Sequence, residues 1–159
     1  MPDKLRYEID LTLPMPPSSS EDIQIRPLGE ADLEALAGLM LNAYVDTIDY
    51  ADEDFDDALD EVRSFFEGTP LLEHSFAAVI GDLVASAVLV SSVDGAPFIG
   101  YVMTLGDYKN QGLARRVLKE AVSSLAVSGH ERVSLYITDG NRPSEALFRS
   151  IGAVRVESE

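Results

Sequence analysis

The sequence predicts an α/β protein in which helices cover both faces of a central mixed β-sheet. Apolar residues recur every second position in some segments and every three to four positions in others, as strands and amphipathic helices require. Three strand patterns follow one another across short turns, which predicts antiparallel neighbours. Strand and helix patterns then alternate, which predicts a parallel crossover. The 159 residues, 46% of them hydrophobic, suffice for one core.

The chain begins with a strand pattern and a linker. Every second residue from 5 to 13 is apolar and the residues between them are polar, the pattern of a half-buried strand. Residues 14–20 contain only Pro, Met and Ser, a composition typical of a linker. We therefore divide the chain into an N-terminal strand with its linker, residues 1–21, and a main domain, residues 22–159.

The main domain begins with one short strand and two helices. Residues 23–26 form a strand pattern that is closed by Pro27. Residues 30–44 carry an apolar stripe at helical spacing. A second helix is expected to begin after Asp54, a good N-cap residue, and to end before Gly68.

Three antiparallel strands are expected next. Residues 75–80 and 83–92 form a hairpin pattern around the two-residue turn at 81–82. A second turn at 94–97 leads into a third strand over 98–105.

A helix, a strand, a helix and a short strand complete the predicted order. Apolar residues at helical spacing fill 112–128, and β-forming residues fill 132–138. Asn141 begins a last helix, which Gly152 ends. The segment 154–156 is then predicted to form a short final strand. The crossover from the third antiparallel strand to the strand at 132–138 is expected to be parallel.

Composition excludes several classes of function. The net charge of −16 disfavours binding to nucleic acid or to an anionic membrane surface, because both require clustered cations. No apolar run is long enough to span a bilayer, and no secretory signal is expected at the N-terminus. The chain has no cysteine and two histidines, so we expect no metal site. A cytoplasmic location is the expectation.

The predicted turn before the helix at 112–128 is suited to a phosphate. Gly106 and Gly112 let the backbone bend closely around a ligand, and the first amides of a helix attract anions. Lys109 and Arg115 add positive charge. The glycine patterns of mononucleotide and dinucleotide sites are absent from the sequence.

Two motifs resemble those of a known family. Lys109-Asn110-Gln111-Gly112-Leu113-Ala114 resembles the acetyl-CoA signature Gln/Arg-x-x-Gly-x-Gly/Ala of the GNAT superfamily of N-acetyltransferases, with Lys109 where Gln or Arg is usual. The segment from Asn141 to Phe148, followed by Gly152, resembles the Asn-x-x-Ala-x-x-Leu-Tyr segment that this family often carries. The order of elements over residues 22–156 also matches, so the resemblance implies a GNAT-like fold.

The resemblance implies acetyl-CoA as a co-substrate and assigns residues to it. Backbone groups of Met103 and Thr104 would pair with the pantetheine amides. The remaining binding residues would surround the pyrophosphate and the pantetheine arm: Lys109, Asn110, Gln111, Gly112, Leu113, Ala114, Arg115, Asn141, Ser144 and Phe148.

The reaction implied is transfer of an acetyl or other acyl group to a primary amine by direct attack on the thioester. The backbone amide around Thr104 would stabilise the oxyanion. Phe148 stands where the family has a tyrosine that protonates the thiolate, so Tyr101, Tyr136 or water would donate the proton instead.

The general base has several candidates in the sequence. Asp46 and Asp49 lie between the first two predicted helices, and Glu73 and His74 precede the second strand of the main domain. The strand at 98–105 lacks an acidic residue. Together with Phe148, this absence favours the alternative, a weakly active or non-catalytic module that binds CoA or a protein partner.

Residues 46–61 contain nine acidic residues and no basic residue. In the family this region forms one wall of the acceptor site, so the run is interpreted either as attraction for a cationic small-molecule or peptide amine or as a solvated acidic surface.

The family usually ends with a seventh strand, and the pattern at 154–156 provides only the sixth. We predict that the strand at residues 5–13 fills the position of that last strand, either within the chain or in the partner chain of a homodimer.

Overall fold

A computed structural model describes residues 4–12, 23–44 and 52–156. These residues contain seven strands, namely β1 Lys4–Asp10, β2 Gln24–Pro27, β3 Phe76–Ile80, β4 Leu83–Val93, β5 Ala96–Thr104, β6 Arg132–Thr138 and β7 Val154–Arg155. They also contain four α-helices, namely α1 Leu33–Tyr44, α2 Phe55–Glu67, α3 Leu113–Val127 and α4 Arg142–Ser150. The predicted order of elements is confirmed.

The strands form one mixed sheet in the order β2-β3-β4-β5-β6-β1-β7. Neighbouring strands from β2 to β5 are antiparallel to each other. β5 pairs with β6 in parallel, as the crossover through α3 requires. The N-terminal strand β1 lies between β6 and β7 and is antiparallel to both. It therefore occupies an interior position of the sheet and pairs within its own chain.

Local chemistry explains where elements differ from the predicted bounds. β1 ends at Asp10 rather than at residue 13, because the Asp10 carboxylate accepts hydrogen bonds from the backbone N–H and the hydroxyl of Thr12. β5 begins at Ala96, two residues earlier than predicted. Asp94 and Gly95 both have positive φ, a geometry typical of tight hairpin turns that let pairing resume at once.

The helices pack on opposite faces and make two hydrophobic cores. α1 and α2 cover β3, β4 and β5, with Leu36, Val62 and Leu89 fully buried between them. α3 and α4 cover the other face, where Tyr7 and Ile9 of β1 are 1% exposed. β1 is thus part of the core beneath α3 and α4.

A β-bulge in β5 changes the face of the sheet on which the side chains after it lie. Leu89 of β4 pairs with Tyr101, whereas Val90 pairs with Ile99, so Gly100 is an extra residue on β5. Ile99 consequently packs under α3 and α4, while Tyr101 packs with the residues of α1 and α2.

Candidate active site

The parallel pairing of β5 with β6 stops halfway along both strands. It joins Phe98 to Ser134 and Ile99 to Leu135, although β5 continues to Thr104 and β6 to Thr138. Beyond the pairing, the facing edges of the two strands carry backbone groups that have no ladder partner among the described residues. Such an edge can pair with the amides of an extended ligand.

The backbone of Thr104 faces this gap. Leu105 donates its N–H to the carbonyl of Ala85 in a 2.9 Å hydrogen bond, so the alternation of an antiparallel ladder directs the N–H of Thr104 away from β4 and that of Met103 toward it. The Thr104 hydroxyl lies 2.9 Å from Ser86 Oγ, which itself donates to the carbonyl of Met103. The hydroxyl therefore donates to Ser86, and the backbone N–H is the donor that Thr104 can offer to a ligand in the gap.

The turn before α3 exposes the first amides of that helix. Asn110 and Gly112 have φ values of 65° and 81°, the left-handed conformation that reverses the chain just before the helix. Gly112 is the N-cap, and no side chain caps the helix. The amides of Leu113 and Ala114 precede the first helical hydrogen bond, which Arg116 donates to Gly112. This end of α3 can bind an anion with its backbone alone.

Two cations of the predicted phosphate segment hold the segment in place. Lys109 Nζ donates to the carbonyl of Ala43 at the end of α1 across 2.7 Å, a favourable position for a cation. Arg115 Nε donates to Ser150 Oγ in α4 across 3.2 Å. Their side chains thus anchor the turn to helices on either side of the sheet, and the exposed Gln111 and Gly112 remain at its surface.

The second motif forms the start of α4. Asn141 is the N-cap, and its side chain accepts a 3.2 Å hydrogen bond from the amide of Ser144, which is half-buried. Phe148 is 7% exposed and packs in the core with β1. Glu145 accepts a 3.4 Å hydrogen bond from the Tyr7 hydroxyl, so β1 also helps to position this helix.

An open pocket of about 400 Å³ lies where α2 meets the bulged part of β5. We call it the α2 pocket; its walls include Lys4, Glu61, Phe98, Tyr101 and Tyr136. The Tyr101 hydroxyl donates to the carboxylate of Glu61. Burial raises the pKa of Tyr101 well above that of a free tyrosine, and the hydrogen bond to Glu61 raises it further. Tyr101 is therefore a neutral hydroxyl that holds the carboxylate in place, and it is a weaker proton donor than a free tyrosine.

Glu61 was not among the predicted bases, although it is the last residue of the acidic run at 46–61. Ala58, Val62 and Phe65 are the buried residues of α2. Glu61 lies three residues after Ala58 and four before Phe65, which puts it at the edge of the buried stripe. An acidic residue at this position of an amphipathic helix is the signal that could have found it.

Of the predicted bases, the two that the structure describes, Glu73 and His74, are not among the walls of the α2 pocket. Asp46 and Asp49 lie outside the described residues. His74 is buried against Ser124, eleven residues after the start of α3, about 17 Å along the helix from its N-terminus. In the described ranges, no group of three or more acidic or histidine residues could hold a metal ion. No helix of these ranges is long and apolar enough to cross a membrane.

We expect His74 to make stability depend on pH. Burial lowers the pKa of His74, and nearby His130 lowers it further, against an opposing effect of Glu73. His74 therefore binds a proton more readily in the unfolded chain than in the folded chain. Its contribution to the free energy of unfolding is complete above about pH 6.5, and it is lost as the pH falls through the lower pKa of the folded state. Thermal unfolding of the native chain and of His74→Gln between pH 7.5 and 5 measures it.

The informative quantity is the difference between the two chains, because protonation of the many carboxylates affects both alike. The destabilisation caused by His74→Gln should shrink as the pH falls. A difference that stays constant over this range would contradict the assignment.

Residues 38–153 match the sequence profile of the acetyltransferase (GNAT) family. No curated protein matches the chain. Among solved structures, a GCN5-related N-acetyltransferase from Sphaerobacter thermophilus is similar, with a TM-score of 0.76 and 21% identity over 96% of this chain. The match spans 48% of that protein, so this chain corresponds to about half of its length.

Two further structures share the fold. PaiA N-acetyltransferase from Thermoplasma acidophilum, solved in complex with coenzyme A, has a TM-score of 0.69 and 17% identity over 86% of this chain and 92% of its own. The ribosomal-protein-S18-alanine N-acetyltransferase from Escherichia coli has a TM-score of 0.67 and 20% identity over 82% of this chain and 76% of its own. At these identities, the likeness establishes the fold.

Proposed function

The chain belongs to the acetyltransferase (GNAT) family, and we propose that it transfers an acetyl group from acetyl-CoA to a primary amine. The observation that carries the proposal is the unpaired edge of β5, where the N–H of Thr104 faces the gap beside β6. Acetyl-CoA supplies a thioester whose carbonyl carbon accepts the amine. The bound coenzyme A of the PaiA structure, which has the same fold, supports this choice of co-substrate.

The residues of the chain fit this co-substrate. The amides of Gln111, Gly112, Leu113 and Ala114 would bind the pyrophosphate, because they lie at an uncapped helix N-terminus. The backbone carbonyl of Thr104, which faces the gap together with its N–H, would accept from an amide of the pantetheine arm at the open edge of β5. Asn141 and Ser144 would border the arm from the start of α4.

The catalytic roles follow from the same positions. The Thr104 N–H would donate to the thioester oxygen as negative charge develops on it. Glu61 would bind the acceptor amine and take its proton, held in position by the Tyr101 hydroxyl. With Phe148 in the core, water is the simplest donor to the departing thiolate, which is itself a good leaving group.

A panel of amines tests the function. Acetyl-CoA should raise the thermal midpoint of the chain, and at least one primary amine should then cause release of free thiol from acetyl-CoA. Stabilisation without thiol release on any amine would favour the second candidate, a CoA-binding module without turnover. Phe148, which replaces the family's tyrosine, is the observation in favour of that candidate.

Ala114→Glu is expected to stabilise α3 and yet weaken CoA binding. A carboxylate in the first turn interacts favourably with the helix dipole, by about 0.3–1 kcal/mol. Against a bound pyrophosphate the same charge is repulsive, by about 3 kcal/mol at 5 Å and an effective dielectric constant of 20. Calorimetry with CoA should show at least about a tenfold loss of affinity. Ala114→Gln adds the same bulk without the charge and should bind more tightly than Ala114→Glu; equal affinities would exclude the helix terminus as the pyrophosphate site.

A further inference from the structure

We propose that the α2 pocket is specific for a short peptide, whose free amino end binds at Glu61 and whose carboxylate binds at Lys4. This inference rests on the proposed amine acetylation and names the acceptor of that same site. The proposed peptide site requires a ligand that carries an amine and, at a defined distance, an oppositely charged group. The general function requires only an amine.

The charges of the pocket are complementary to a zwitterion. Glu61 contributes a carboxylate whose hydrogen-bond partner is the neutral hydroxyl of Tyr101, and it forms no ion pair with the described residues. Lys4 contributes an ammonium group, and it too forms no ion pair with the part of the chain that the structure describes. In a chain of net charge −16, such a lysine is a local attraction for an anion.

The separation of the two groups indicates the length of the ligand. Tyr101, which holds Glu61, lies on β5, and Lys4 lies on β1, with β6 between them. The pairing of β5 with β6 ends before the level of Tyr101 and Lys4, so the outer strands lie at least two spacings of about 4.8 Å apart there, that is at least about 10 Å. An extended peptide spans at most about 3.3–3.6 Å per residue, so at least three residues are needed to bridge the two groups and a single amino acid is too short.

The wall between the two charges is aromatic. The rings of Phe98 and Tyr136 lie 5.7 Å apart, centroid to centroid, and Tyr136 is 50% exposed. Among the described residues, no helix covers the α1 and α2 side of β6 and β1, so these rings can receive an apolar side chain of the ligand.

The basicity of the amine is consistent with a peptide. A carboxylate is a weak base, so it deprotonates a weakly basic amine most readily. The α-amino group of a peptide has a pKa of about 7.7–8.0, compared with about 10.4 for a lysine-like amine. Glu61 can thus deprotonate an α-amino group more easily than a lysine-like amine.

Matched peptides test the proposal by calorimetry on the CoA-loaded chain. Gly-Phe-Gly with a free carboxyl end should bind about fivefold more tightly than its carboxyl-terminal amide. Lys4→Gln should make the two affinities equal. Arg155→Gln removes a positive charge from the exposed strand β7, outside the pocket walls, and should preserve the fivefold preference.

Equal binding of acid and amide to the native chain would overturn the proposal, as would a preference that survives Lys4→Gln or no binding of either peptide at millimolar concentration. Thiol release is recorded separately with the same peptides. A preference lost in Lys4→Gln without thiol release would support the peptide site and contradict acetyl transfer. Thiol release with other amines, but no peptide binding, would support acetyl transfer and contradict the peptide site.

Discussion

A chain that lacks residues 1–20 is expected not to fold cooperatively. β1 pairs with β6 over all seven of its residues and with β7 on its other edge. Its removal takes the buried side chains of Tyr7, Ile9 and Leu11 from the core and exposes two sheet edges. At about 1.5–3 kcal/mol for each buried side chain, the loss approaches the whole stability of about 5–15 kcal/mol that is typical of a domain. Circular dichroism and thermal unfolding measure it.

Adding the strand back as a peptide tests whether the truncated chain loses stability because a position in the sheet is empty or because of truncation in general. A synthetic peptide of residues 1–13 should restore a cooperative transition to the shortened chain. In the full chain, Ile9→Ala should cost about 2–5 kcal/mol, because Ile9 is 1% exposed, whereas Thr12→Ala at an exposed position should cost far less. A truncated chain as stable as the native one would show that β1 is dispensable.

The position of β1 could be predicted from its strand pattern together with the resemblance to the family. Alternation at residues 5–13 indicated a strand, and the resemblance implied a last strand that the pattern at 154–156 did not provide. The choice between pairing within the chain and pairing with a partner could not be made from the sequence. That choice depends on where the strand and its linker lie in space, and the structure pairs β1 within the chain.

The Glu61–Tyr101 contact could not be predicted, because it joins a helix to a strand 40 residues away. Strict alternation would place Ile99 and Tyr101 on the same face of β5. The bulge at Gly100 separates them and directs Tyr101 toward α2. A lone glycine in a strand pattern is compatible with a bulge but does not specify one.

The roles of the cations near α3 were only partly predictable. Clustered charge and glycine correctly indicated an exposed helix N-terminus after a tight turn. The partners of Lys109 and Arg115 lie on α1 and α4, and they depend on how these helices pack against the sheet. Backbone features of the site thus followed from local sequence, whereas side-chain contacts between distant elements required the tertiary structure.

Glu61→Gln is expected to lower kcat/KM for the acceptor amine about 100-fold, the lower end of the contribution of a general base. Glutamine preserves the size of the side chain and can still accept the hydrogen bond of Tyr101, so the variant removes chiefly the charge and the basicity. Thiol release at saturating acetyl-CoA measures the loss. CoA binding should be unchanged, because Glu61 lies in α2, away from the start of α3.

The pH dependence separates proton transfer from simple attraction of the amine. Without the base, only the free amine reacts, so the activity of Glu61→Gln should rise about tenfold per pH unit up to the pKa of the amine. Asp60→Asn is the matched control, because Asp60 is an exposed neighbour in α2 that pairs with Arg63. It removes the same charge from the same helix and should retain the native rate. If both variants lose activity equally and keep the native pH profile, the acidic surface as a whole attracts the amine and Glu61 is not the base.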